Sequence, residues 1–381
     1  MTATTHQEKL TGDHGVLYMA LELGWSQWKL GFVSGAGQKP RQRTIAARDL
    51  AALQEEIGRA KARFGLSECS RVVSCYEAGR DGFWIHRYLE SVGVKNRVVD
   101  SASIEMNRRA RQAKSDGVDV QKLLSLLVRS ETGERVRWSV VRVPSVEEED
   151  GRQLSRELET LKQERTAHRN RLRGLMASQG LALKMRRDFR EQLPQVKLWD
   201  GSSLGQDLRG RFEREWERLE LLEQQIAELE KQRRDRLSKA QEPVAQVAQR
   251  LCRLKSIGPN SAWLFSGEFF AWRQFRNRRQ VGSLSGLAPT PYQSGDRLHR
   301  EQGISRAGNE RVRSMAIEIA WAWLRFQPGS ELSRWFQERF ARGGSRSRRI
   351  GIVALARKLL VALWRYLEAG EIPAGAQLKS L

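Results

Sequence analysis

Cysteine is scarce in this chain: three residues in 381, Cys69, Cys75 and Cys252, an odd count with no CxxC spacing. That excludes a disulfide framework and gives no support to a zinc site, so the thiols read as reduced core or surface groups. Long apolar runs are also missing, and none approaches the roughly 18 to 20 residues that a bilayer crossing needs. The opening MTATTHQEKLTGDHG is polar and has no apolar stretch of the kind that directs secretion, which points to a cytoplasmic protein. Acidic residues are the minority, with 45 Asp and Glu against 67 Lys and Arg, a formal charge of +22. So basic a balance is unlike that of most metabolic enzymes and makes a polyanion the first candidate partner. No repeat of fixed period is present, and the only low-complexity tract is the basic run RGGSRSRR at 342–349. Hydrophobic residues at 40% with 12 tryptophans nevertheless exclude wholesale disorder.

Three regions follow along the chain. Residues 1–145 read as an α/β domain: VLYMALELGWSQWKLGFV (16–33) as two strands about a Gly-Trp-Ser turn, then RVVSCYEAG and NRVVDSA as later strands, with helical patterns between them. The order predicts a mixed sheet flanked by helices. In residues 146–242, Leu154, Leu158, Leu161, Arg165, His168, Leu172 and Leu175 step by four and three, the period of a coiled-coil seam. Phe212, Trp216, Leu219, Leu222, Ile226, Leu229, Arg233 and Leu237 repeat it, so the spacing predicts a hairpin of two long antiparallel helices. Two solvated amphipathic helices on a globular body are the plainer alternative. Residues 243–381 are mostly helical by pattern, ending in a helix from about Ile350 to Glu368.

Four carboxylates stand where chemistry is expected. Glu22 ends an alternating strand in which Tyr18, Ala20 and Glu22 share one face. Glu77 follows VVSCY at a strand end, and Asp116 and Asp119 share one face at the start of the helix SDGVDVQKLLSLL. Carboxylates gathered closely repel one another unless divalent cations neutralise them, and paired hard cations can clamp both oxygens of a phosphodiester displacement. Taken singly, Asp116 and Asp119 are as simply explained as helix caps, and Glu77 as an exposed strand-end acid.

In the third region LCRLKSIGPNSAWLFSGEF has the form of a helix-hairpin-helix, whose turn near Lys255 and Gly258 would offer backbone N–H groups to phosphate; an ordinary helical corner has the same pattern. Beyond it, Ser294 lies in a Pro/Gly-rich loop followed by Arg297, Arg300, Arg306, Arg311 and Arg313. That arrangement could grip phosphate oxygens around one hydroxyl, although a Ser-Gly pair in a loop is most often a turn.

These motifs together resemble the DEDD transposases of bacterial insertion sequences, relatives of the pilin-gene invertases described as bridge-RNA-guided serine recombinases. The resemblance rests on YEAG at Glu77, SDGVD at Asp116 and Asp119, PTPYQSG at Ser294 and, most specifically, ISRAGNERVR at 304–313. It implies an RNase H or RuvC-like first domain, a coiled-coil linker and oligomerisation region, and a C-terminal transposase domain bearing the nucleophile. It implies catalysis by Ser294 through a covalent phosphoserine, with Mg²⁺ or Mn²⁺ held by Glu22, Glu77, Asp116 and Asp119. The implied partners are target and donor double-stranded DNA, a structured noncoding guide RNA, and further copies of the chain, a dimer or a synaptic tetramer, in a nucleoid-associated setting with no membrane. The sequence departs from the family at the first acid, ordinarily Asp, which is Glu22 here. Two other readings stay open: a RuvC-like two-metal nuclease acting on branched DNA with Ser294 merely structural, and a non-catalytic nucleic-acid-binding protein.

Overall fold

A computed structural model describes residues 15–79, 81–100, 103, 116–134, 136, 138–292 and 300–379. The protein is mixed α/β, and its chain divides between Pro144 and Ser145 into two compact units.

In the first unit β1 (Leu17–Leu23) and β2 (Gln27–Val33) pair antiparallel and are followed by β3 (Arg41–Ala46), α1 (Leu50–Arg63), β4 (Val72–Glu77), α2 (Trp84–Ser91), β5 (Lys95–Val99) and α3 (Asp116–Glu131). The sheet order is β3-β2-β1-β4-β5, with β4 and β5 parallel to β1 and the β1–β2–β3 meander antiparallel. Period-two alternation divides the core. Leu17, Met19 and Leu21 pack with Leu53, Ile57, Ile85 and Leu89 of α1 and α2, whereas Tyr18, Ala20, Val73 and Cys75 pack with Val120, Leu123, Leu124 and Leu127 of α3. Covered on both faces, the central strands can be apolar throughout. The close approach of α3 depends on Gly31, where a Cβ would lie 2.3 Å from Val120 Cγ1.

The second unit opens with α4 (Val146–Asp150), started by a capping box between Ser145 and Glu148. Then come α5 (Gln153–Ser178), the short α6 (Phe189–Gln192) and α7 (Gln206–Lys239). Lys162 pairs with Glu230, Arg169 with Glu223 and His168 with Glu215, so α5 and α7 run antiparallel. Leu158 and Leu161 are buried against Leu222 and Ile226; farther along, Leu172 and Met176 meet Phe212, Trp216 and Leu219, and Phe189 stacks on Trp216 at 4.6 Å. These seam residues are thus covered within one chain. The seam is not wholly apolar: Glu215, between Phe212 and Trp216, receives His168 Nδ1 at 2.5 Å together with Arg171 and Arg218, and although burial pushes its carboxyl up these partners hold it below its ordinary value.

The remainder comprises α8 (Pro243–Cys252), α9 (Pro259–Phe265) running into a π-helical turn at Ser266–Phe270, α10 (Arg278–Leu284), the hairpin β6 (Pro289–Tyr292) and β7 (Arg300–Ile304), α11 (Glu310–Phe326), α12 (Glu331–Phe340) and α13 (Ser345–Ala369). Trp263, Phe265, Phe269, Trp323, Leu355 and Leu359 are among its core residues. Helix α13 begins inside the basic run rather than at Ile350: Arg346, Arg348 and Arg349 form exposed turns ahead of Gly351 and Ile352, where the buried face starts. A C-terminal strap returns to α8, with Lys379 N–H donating to Arg253 O and Lys255 N–H to Gln377 O. Among the described residues no helix is long and apolar enough to cross a membrane.

Candidate functional site

The fold brings Glu22, Glu77 and the first turn of α3 to one edge of the first unit. β1 and β4 are parallel with Leu21 beside Tyr76, so Glu22 and Glu77 end neighbouring strands side by side, on the α3 face that Ala20 and Cys75 also occupy. Helix α3 runs back across that face. Its last residue, Glu131, pairs with Arg97 and Lys95 near the entry of β5, and the Leu123 carbonyl accepts from Cys75 Sγ at 3.8 Å. The first turn of α3, with Asp116 and the half-buried Asp119, therefore stands at the edge where Glu22 and Glu77 emerge. The Asp116 side chain lies outside the described residues. Burial, reinforced by the charge of Glu77, pushes the Cys75 thiol up, so this cysteine is an inert filler. Asp100, just after β5, adds another carboxylate at the same edge; its strand-end position is the signal that also marked Glu77. These side chains offer carboxylate oxygens only, a ligand type that suits hard cations such as Mg²⁺ or Mn²⁺. Among the described residues no group of three or more His, Cys, Asp or Glu side chains is gathered closely enough to hold a metal ion.

In the second unit β6 and β7 pair antiparallel, with Tyr292 opposite Arg300. Ser294 and Arg297 lie outside the described residues, as does the side chain of Arg300. The turn that follows is locked to the end of α10. Arg306, in the left-handed region at φ 55°, donates its N–H to Gly286 O, and Asn309 N–H donates to Leu284 O. Gly308, at φ 110°, passes so close that a Cβ would lie 2.4 Å from Leu284 O. The arginines here differ in freedom. Arg313 Nη1 donates to Arg306 O at 2.9 Å, and Arg311 Nε donates to Glu159 Oε2 of α5 at 2.5 Å, whereas Arg306 is exposed.

Glu268 is the residue that pattern reading passed over. It sits 1% exposed in the π-helical turn and receives Arg156 Nε at 2.6 Å and Nη2 at 3.1 Å. Its Oε2 also accepts from Asn309 Nδ2 at 3.1 Å, and Asn309 caps α11 by accepting from Val312 N–H. One carboxylate thus clamps α5, the π-turn and the 304–313 block together. Burial alone would raise its pKa, but the bonds from Arg156 and Asn309 and the nearby charge of Arg152 hold it below its ordinary value. The signal in the sequence is a single acid inside the apolar LFSGEFFAW.

The turn between α8 and α9 is largely satisfied from within. Gly258 N–H donates to Ser261 Oγ at 3.2 Å, and Lys255 Nζ donates to Gln377 Oε1 of the C-terminal strap at 2.6 Å.

Residues 248–334, from α8 into α12 and including Ser294 and the 304–313 turn, match the Transposase IS116/IS110/IS902 family. The chain is 42% identical over 381 residues to y4rJ of Sinorhizobium fredii, named as a transposase, covering 97% of this chain and 96% of that one. It is 26% identical to the transposase for insertion sequence element IS1111A of Coxiella burnetii over 261 residues, 68% of each chain. A shorter likeness, 26% over 152 residues, joins it to the transposase for insertion sequence element IS1328 of Yersinia enterocolitica, covering 39% of this chain and 42% of that one. The class is therefore that of bacterial insertion-sequence transposases, and the chain belongs to the IS116/IS110/IS902 family of them.

Proposed function

We propose that the protein cuts and rejoins DNA strands through a covalent phosphoserine formed on Ser294. The observation that carries this reading is the identity to a named transposase along nearly the whole chain, so that both units fall within one DNA-processing protein. The sheet order, with carboxylates at one edge and helices on both faces, supports an RNase H or RuvC-like reading of the first unit. Mg²⁺ or Mn²⁺ held by Glu22, Glu77, Asp116 and Asp119 would supply charge neutralisation at the reacting phosphodiester.

The chemistry of the chain's own groups is an exchange of esters. As the Ser294 Oγ–P bond forms, the hydroxyl loses its proton, the P–O bond to the departing strand end breaks and the departing oxygen takes up a proton. In the rejoining step the hydroxyl of another strand end attacks the phosphoserine and Ser294 regains its proton. The ester keeps the phosphodiester energy, so no nucleotide triphosphate is consumed. The exposed Arg306 provides fixed positive charge where it builds on the phosphoryl oxygens. A structured noncoding RNA supplies sequence by base pairing while the protein grips backbone and shape, and copies of the chain assemble as a dimer or synaptic tetramer.

The test is a reaction stopped by denaturant with end-labelled target and donor duplexes and the guide RNA. Wild type should carry label that survives boiling in detergent and is released by protease, and Ser294→Ala should carry none. Free nicks from Ser294→Ala would transfer the reading to a metal-dependent nuclease, and absence of cutting by wild type with either metal would leave a nucleic-acid-binding protein.

A further inference from the structure

We infer that a groove on the α10–α13 side of the second unit seats the sugar–phosphate backbone of the DNA strand on which Ser294 acts. Naming that strand rests on the phosphoserine reading; the groove stands on its own geometry. It encloses about 1040 Å³ between α10, the start of β6, the start of α12, α13 and the strap at 371–374. Five cations line it, Arg278, Arg279, Arg357, Lys358 and Arg365, against two carboxylates, Glu331 and Glu371.

Three features separate this patch from the rest of a basic surface. First, none of its four arginines forms a side-chain hydrogen bond or ion pair with another described residue, whereas Arg156, Arg169, Arg190, Arg236 and Arg311 each have a carboxylate partner. Like charges gathered in excess of the two local acids repel one another in the free protein, and a polyanion relieves that repulsion. Second, two of the cations, Arg357 and Lys358, are held by their surroundings. Arg357, Val361 and Arg365 share one face of α13 by their four-residue spacing, and the Arg357 stem lies across α10 at Gly282, where a Cβ would come within 3.4 Å of its Cδ. Lys358 Nζ is held 4.6 Å over the Trp335 ring. The far wall is fixed by Glu331 N–H donating to Ala374 O at 2.9 Å. Third, Leu332, Val361, Ala362 and Ile372 lie among the cations, and the volume exceeds what a single phosphate ion fills. Apolar floor with cationic sides suits the alternation of sugar and phosphate along a strand. Pro289, the first residue of β6, lines the groove, so a strand seated there lies against the start of the β6–β7 hairpin.

The experiment measures anisotropy of a fluorescein-labelled duplex DNA oligonucleotide with the full chain across a salt series. Arg357→Gln/Arg365→Gln and Arg278→Gln/Arg279→Gln should each weaken binding about tenfold and flatten the log affinity against log salt slope by about two units, one per lost phosphate contact. Arg186→Gln/Arg187→Gln, an exposed pair elsewhere in the unit, serves as the control. Melting temperatures matching wild type are expected, since the replaced groups have no partners among the described residues. Equal losses from the control pair, unchanged binding by the groove variants, or losses confined to a labelled RNA hairpin of the same length would each overturn the inference. Ser294→Ala run in parallel separates the two readings: wild-type adduct with unaltered groove variants removes the groove alone, while weakened groove variants with no wild-type adduct remove the phosphoserine alone.

Discussion

The arginines of the 304–313 block and those of the α10–α13 groove share one chemistry and stand in opposite circumstances. In the block, Arg311 is joined to Glu159 and Arg313 to the Arg306 carbonyl, and the turn is pinned by Glu268 through Asn309. In the groove, the arginines meet no acid partner among the described residues. Arg311 and Arg313 of the block are therefore occupied within the protein, while Arg306 stays exposed and the groove arginines keep their charge without an acid partner among the described residues. In a protein with a formal charge of +22, abundance of arginine says little about which guanidiniums face a ligand; the placement of carboxylates decides it.

The comparison can be broken most decisively at the serine. Ser294→Ala should lose covalent adduct by about 10³-fold or more while binding duplex DNA as wild type does, whereas Ser294→Cys keeps a nucleophile of altered metal preference and should retain a trace. Gel analysis of quenched reactions reads this directly. Next come the acids at the sheet edge: Glu77→Ala and Asp119→Ala should each abolish strand cleavage with binding largely intact, and Glu22→Asp should retain it. Near-wild-type cutting by either alanine variant, in the same gel assay, would remove the metal role from that edge.

A smaller but more diagnostic effect concerns Glu268. Glu268→Ala leaves Arg156 and Arg152 without their buried counter-charge and should cost about 3 kcal/mol in urea denaturation, the low end for a broken buried pair because Arg156 can still reach water. Because the folded pKa of Glu268 is lowered from 4.5, its contribution is present above that value and disappears as the pH falls through the depressed one. The stability gap between wild type and Glu268→Gln should accordingly be constant near neutrality and narrow in acid below about pH 4.5. Arg311→Gln should do least, about 0.5 kcal/mol, since both members of its pair are more than a third exposed. A cost from Arg311→Gln matching that of Glu268→Ala would show that the block is held from α5 through Arg311 and not through the buried carboxylate.

How much of this was legible in advance varies with the range of the interaction. Strands β1, β2, β4 and β5 announce themselves by alternating or β-branched residues, and the strand ends carry Glu22 and Glu77 where acids tend to act. The seam of α5 and α7 is equally plain, because the spacing of Leu158, Leu161, Leu222 and Ile226 is a local property. The start of α13 is not legible, for the opposite reason: Arg346, Arg348 and Arg349 have no apolar period, and helix continues through them because it is propagated from the buried turns that follow. Glu268 is not legible either, because its meaning lies in Arg156, 112 residues away, a pairing that no spacing encodes.

By itself the sequence determined the alternation of the strands, the long paired helices, the excess of positive charge and the order of motifs that place the chain among insertion-sequence transposases, since each depends on neighbours a few residues apart or on composition. Only the tertiary structure decided that the α3 N-terminus meets the edge of Glu22 and Glu77, that Arg311 and Arg313 are occupied, and that Arg278, Arg279, Arg357 and Arg365 share one groove. Those outcomes depend on which distant carboxylates and helix faces packing brings within hydrogen-bond reach, and a charge is free or spent only once its neighbours in space are set.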